Sequence, residues 1–166
     1  MYRRVDDFVK QWHYETEQTL KVLRTLTDAS LMQAVVPGGR TLGRLGWHIT
    51  QTIPEMMGRA GIPASGPDEH APVPAHAQAI AAAYQAAAVQ LGEAVERTWR
   101  DEMLTEERNM YGEMWQNGIT LEVLIRHQAH HRGQMTVLMR QAGLQVPGVY
   151  GPAREEWAQW GMPAAE

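Results

Sequence analysis

Apolar residues recur at three- and four-residue steps in four long stretches of the chain. This is the period that lines side chains up along one face of an α-helix. The first stretch runs from about Arg3 to Thr27, with Val5, Phe8, Val9, Trp12, Thr16, Leu20, Leu23 and Leu26 in phase. The second runs from about Thr41 to Ala60, with Leu42, Leu45, Ile49, Thr52 and Met56 on one stripe. Pro54 falls inside it and is expected to kink the helix or end its regular part, because proline has no N–H for the Thr50 carbonyl. The third, about Ala75 to Arg100, is alanine-rich and keeps Ile80, Tyr84, Ala87, Leu91, Val95 and Thr98 in register. The fourth runs from about Thr120, a suitable N-cap, to Ala142. Leu124, Met135, Leu138 and Ala142 share its face, and Gly143 follows where a left-handed residue usually ends a helix.

Helix-breaking residues punctuate the connections. Asp28 to Arg40 contains the turn Pro37-Gly38-Gly39, and Gly61 to Pro74 holds Pro63, Gly66, Pro67, Pro72 and Pro74, an exposed crossover loop. Asp101 to Ile119 is mixed, with Asn117-Gly118 read as a turn and Met103, Met110, Met114 and Trp115 as apolar anchors. The tail from Val146 to Gly161 contains a short candidate helix, Pro152 to Trp160. Four amphipathic helices of roughly 20 to 26 residues predict an all-α four-helix bundle with a crossover loop and a short C-terminal helix.

A chain of 166 residues predicts one domain, spanning 1–166. Its 15 basic and 19 acidic residues leave a formal charge of −4, without the basic stripe a phosphate backbone calls for, so a nucleic-acid partner is not expected. No apolar run approaches the roughly 18 residues of a membrane span, and the polar start Met-Tyr-Arg-Arg-Val-Asp-Asp has no signal-peptide core. No membrane partner and a cytoplasmic location follow as expectations. Zero cysteines stand against seven histidines. A metal would therefore be held by His or carboxylate, and no cysteine nucleophile exists.

His127 and His131 stand four apart in the fourth stretch and project from one face, the face that also carries Leu124, Met135 and Leu138. Imidazoles on a buried stripe are costly unless bonded. His48 lies between Leu45 and Thr52, on or beside the core stripe of the second helix, and inward histidines from two helices are how bundle metal sites are built. The alternative is a set of core histidines, each bonding a backbone carbonyl. A 127/130 pair is also sterically open, although His130 is turned about 100° off the 127/131 face. Position 128 is Gln, so the His-Glu-x-x-His motif and its general base are absent.

The stretch His127-Gln-Ala-His-His131-Arg-Gly-Gln134, with the Met-Thr-Val-Leu-Met-Arg-Gln-Ala-Gly run to Gly143, resembles the signature of the DinB/YfiT-like metalloenzymes. So does Arg40-Thr-Leu-Gly-Arg-Leu-Gly-Trp-His48-Ile, and the likeness covers essentially the whole chain. It implies a divalent metal on His48, His127 and His131 in a four-helix bundle, often a homodimer. Family members are damage-inducible, stress-response proteins, and some relatives are thiol S-transferases that use bacillithiol or mycothiol. Three neutral imidazoles leave an ion with open positions, and zinc or nickel suits them. Such an ion turns a bound water or thiol into a nucleophile near neutral pH. The implied function is a metal-dependent transferase, or a hydrolase, acting on a small-molecule substrate. Without cysteine, the thiol is borrowed from a low-molecular-weight co-substrate, and an activated thiol needs no strong general base, in keeping with Gln128. No catalytic residue is assigned. The alternative is a non-catalytic stress-response or binding protein whose metal is structural.

Further residues carry narrower expectations. Gln134, one turn on from His131, is the candidate to orient a ligand or bound water, or else makes an inter-helix hydrogen bond. Arg132 is expected in a surface or interface ion pair, and Gly133 at a close helix approach. His13 can reach the site from the first helix but is more simply exposed or satisfied, and His70 and His76 belong to solvent. Met110, Tyr111, Met114 and Trp115 are candidates for a pocket mouth. Tyr150, Trp157 and Trp160 are candidates for a lid or dimer contact, with packing the simpler reading.

Overall fold

The computed structural model describes residues 1–163. It contains four long helices: α1 (Val5–Thr25), α2 (Leu42–Arg59), α3 (Ala77–Thr98) and α4 (Asn117–Gln141). Short three-ten turns occupy Asp28–Met32, Asp101–Thr105 and Arg154–Trp160, and an antiparallel hairpin pairs β1 (Glu107–Met110) with β2 (Glu113–Gln116). The helices pack as a bundle in which α1 and α2 each lie against α3 and α4. That leaves α1 and α2 diagonal to one another, as are α3 and α4. Segments 26–41 and 99–116 make the diagonal crossings.

The proline-rich segment after α2 joins packed neighbours, α2 and α3, and folds back over α2. There Trp47 Nε1 donates to the Ala71 carbonyl at 2.9 Å. The first crossing also caps α3, whose Ala77 N–H donates to Asp28 Oδ1 at 2.8 Å. Among the described residues no helix is long and apolar enough to cross a membrane.

The predicted stripes form the core. Phe8, Trp12, Leu20 and Leu23 of α1, Leu42, Leu45, Ile49 and Met56 of α2, Ile80, Tyr84, Leu91 and Val95 of α3, and Leu124, Met135 and Leu138 of α4 are all buried. Each large apolar side chain so placed stabilises by roughly 1.5 to 3 kcal/mol relative to exposure. Thr98, in phase with them, is exposed in the last turn of α3. Helix α2 runs through Pro54 to Arg59 instead of ending there.

Helix α4 starts at Asn117, three residues before Thr120, and its N-cap position is Gln116. Asn117-Gly118 is thus not a turn but the first turn of helix. The Asn117 N–H donates to the Glu106 carbonyl at 2.8 Å, and its side-chain Nδ2 donates to Met103 at 2.9 Å. Gly118 is glycine for space, since a Cβ there would sit 2.7 Å from the Tyr2 carbonyl oxygen. Gly133, by contrast, is exposed with nothing near a Cβ position. Gly46 on α2 is the glycine that core packing requires, since a Cβ there would meet the Leu23 side chain at 3.1 Å.

Arg132 reverses its expected placement. It does form an ion pair, but in the interior: it is 2 % exposed and pairs with Glu15, equally buried on α1. Its Nη1 donates to the Glu15 carbonyl at 3.0 Å and to Thr19 Oγ1 at 2.8 Å. Tyr150 from the tail donates its hydroxyl to Glu15 Oε2 at 2.7 Å and lays its ring beneath the Arg132 guanidinium. Tyr150 is thus held by its hydroxyl and by the Arg132 guanidinium while staying 63 % exposed, and Trp160 is exposed too.

Candidate metal centre

His48 on α2 faces His127 and His131 on α4, across one of the packed helix pairs of the bundle. One contact aligns them. Gln128, fully buried, donates Nε2 to the Ile49 carbonyl at 2.9 Å. Because Gln128 and Ile49 directly follow His127 and His48, this bond fixes the two helices in the register that turns those imidazoles toward one another. The Nε2 atoms of His48 and His127 lie 3.1 Å apart, as do those of His131 and His127. A nitrogen from each of the three lies within 4.8 Å of the others, and the rings meet edge to face.

The electrostatics keep these nitrogens unprotonated near neutral pH. Burial, with the charge of His131 next, pushes both His48 and His127 down to about 4. Burial also lowers His131, against a partial opposing effect from Gln134. Gln134 Oε1 lies 2.7 Å from His131 Nδ1, and its Nε2 lies 3.2 Å from His130 Nε2. With the amide nitrogen donating to His130, the oxygen accepts from His131 Nδ1–H, and the lone pair of His131 is left on Nε2. Two zinc-ligating nitrogens, each about 2.0 to 2.1 Å from the ion, stand about 3.3 Å apart in a tetrahedron and about 2.9 Å apart in an octahedron. The 3.1 Å of both His127 pairs falls between these values, and all three nitrogens lie within 4.8 Å of one another, an arrangement compatible with a divalent ion.

His130 is exposed and outside this cluster. His13 is exposed on α1, and His70 and His76 lie at the surface, where His76 Nδ1 bonds Asp28 at 2.8 Å.

Beside the triad lies a cavity of about 510 Å³, walled by His48, His127, Arg44, Met56, Val123 and Tyr111. Tyr111 sits at the hairpin tip with φ 58°, followed by Gly112 at 92°, the paired positive values of a two-residue hairpin turn. Asparagine is the usual residue there, and tyrosine in the left-handed region is strained. Its side chain is well engaged: the hydroxyl donates to Glu55 Oε2 at 2.7 Å, and the Arg59 guanidinium lies 4.8 Å above the ring. Of its predicted companions, Met110 is in the core, Met114 is exposed, and Trp115 packs edge-on against Tyr111. The pocket wall also includes Gln51, Glu55 and Arg59, which were not singled out from sequence. Their signal is a polar stripe, Arg44, His48, Gln51, Glu55 and Arg59, at helical spacing along α2.

The DinB family model matches residues 1–162. The chain belongs to the DinB family. It is 46% identical over 164 residues to the YrdA protein of Bacillus subtilis (strain 168), covering 99% of this chain and 98% of that protein. Among solved structures, a DinB-like protein from Bacillus cereus is 47% identical with a TM-score of 0.87, over 90% of this chain and 100% of that one. The DinB-like YjoA of Bacillus subtilis shares only 15% identity, with a TM-score of 0.68 over 89% of this chain and 99% of that one. At that distance the likeness speaks for the fold alone.

Proposed function

We propose that this DinB-family protein is a metal-dependent enzyme in which His48, His127 and His131 hold one divalent ion, zinc or nickel, through Nε2. The reading is carried by three clustered imidazole nitrogens, kept neutral by burial, two of them, on His48 and His127, at the wall of a cavity large enough for a small molecule. The ion supplies Lewis acidity that lowers the pKa of a coordinated water or thiol. The chain's own residues prepare the site. Gln128 sets the helix register, Gln134 fixes the His131 tautomer, and Met56 and Val123 give the cavity apolar walls. Position 128 offers no base, and Glu55 is engaged by Arg59 and Tyr111. The arrangement therefore favours a nucleophile that ionises readily. Thiol transfer from a low-molecular-weight thiol to an electrophile ranks ahead of hydrolysis.

The test is elemental analysis of protein purified without chelator, followed by a conjugation screen with small thiols and model electrophiles. About one divalent ion per chain, lost in His127→Ala, and thiol conjugation that needs the metal are the expected results. Absence of metal sinks the reading. Metal whose removal lowers the melting temperature by many degrees, without any conjugation activity, favours a structural ion instead. A homodimer belongs to the same reading, supported by the exposed apolar Val35, Val36 and Val137. Sedimentation equilibrium tests it.

A further inference from the structure

Arg44 stands one turn before His48 on α2 and lines the same cavity. It is half-buried, and among the described residues its guanidinium makes one bond, from Nη1 to Gln51 Oε1 at 2.7 Å, with no carboxylate partner. Gln51, 3 % exposed, is itself held: Nε2 donates to the carbonyls of Asp68 at 2.7 Å and Ala71 at 3.1 Å in the loop folded over α2. Those bonds decide which end of the amide meets Arg44. The arginine is thus braced by a neutral, locked partner, with most of its five N–H donors unspent.

The acids that share the cavity are occupied or remote. Glu55 accepts from Arg59 and Tyr111, and Glu69 is 54% exposed beside His70. Arg40, exposed and without a partner among the described residues, lines a different cavity, with Gln134. Neither arginine serves the helix. Positive side chains at the start of α2 oppose its dipole, and its first turn holds no acid.

We propose that Arg44, braced by Gln51, binds an anionic oxygen group, carboxylate or phosphate, of the small molecule that enters the cavity. This rests on the reading of that cavity as the substrate site. The guanidinium fork matches either group bidentately, and partial burial strengthens the contact. A ligand anchored there reaches the histidines across one helical turn, about 5.4 Å.

The test titrates the full chain, zinc-loaded and metal-free, with succinate, inorganic phosphate and the uncharged succinamide by calorimetry. Either anion is expected to bind and succinamide is not. Arg44→Gln weakens the anion about tenfold or more in both forms, the loss expected for a hydrogen bond to a charged group. Arg44→Lys restores part of it. The anion that depends more on Arg44 identifies the group. Glutamine is a good helix former, so the variant keeps α2, which circular dichroism checks. Equal anion affinity in wild type and Arg44→Gln, or no anion binding to either form, overturns the proposal. Arg44-dependent succinate binding by a chain that takes up no metal supports the anion site and overturns the metal reading. A chain that loads metal but binds succinate equally well without Arg44 does the reverse.

Discussion

Gln134 is exposed, yet it holds His131 Nδ1 at 2.7 Å while donating to His130. A residue placed this way affects the orientation of an imidazole far more than it affects folding. Gln134→Ala is expected to weaken divalent metal affinity about tenfold, the usual effect of losing a partner of a metal-ligating histidine. Stability should change by less than about 0.5 kcal/mol, as for other surface positions. Chelator competition and urea unfolding read the two quantities separately. An unchanged metal affinity would remove Gln134 from the site. Tyr111 illustrates the same scale: a strained backbone is retained at a position whose ring and hydroxyl tie the hairpin tip to α2.

Between elements, two buried polar contacts set how α4 sits. Gln128 reaches the Ile49 carbonyl on α2, and Arg132 reaches Glu15 and Thr19 on α1. Gln128→Ala is expected to cost about 2 to 3 kcal/mol, from a cavity and a lost hydrogen bond, and to loosen the His48–His127 register. Urea denaturation and metal titration of the one variant measure both effects. Arg132→Ala leaves the Glu15 charge buried without its counter-ion, with only the Tyr150 hydroxyl bonded to it, which costs about 3 to 5 kcal/mol. The double variant Glu15→Gln/Arg132→Met is expected to recover much of that loss. If it is no more stable than Arg132→Ala, the penalty comes from packing and not from the stranded charge.

For the molecule as a whole, the triad links stability to pH. In the metal-free protein His48 and His127 titrate at about 4, against their ordinary 6.5. Between those values the unfolded chain binds protons that the folded chain refuses. Stability that is complete above about pH 6.5 is therefore lost as the pH falls toward 4. The urea midpoint of chelator-treated protein is expected to fall across this window more steeply than that of a His48→Gln/His127→Gln variant. Parallel curves would show that the two imidazoles are not shielded from protonation.

The helices, their apolar stripes and the facing of His127 with His131 were legible in the sequence, because three- and four-residue spacing reflects covalent geometry within one helix. The joining of His48 to that pair was suggested by its place on or beside the α2 core stripe, and the family motif then implied it as a ligand. Other features depended on partners far away in the chain. The hairpin has two strands of four residues with one buried position between them, too little alternation to register as sheet. Asn117-Gly118 looked like a turn because its local chemistry is that of a turn, and only the Tyr2 carbonyl passing overhead explains the glycine. Arg132 looked like a surface residue because a lone guanidinium belongs in water, and its burial depends on Glu15, 117 positions earlier. By itself the sequence determined which faces would be buried. The tertiary structure alone decided which polar groups meet there, because helix register and the order of helices around the bundle are set by long-range packing.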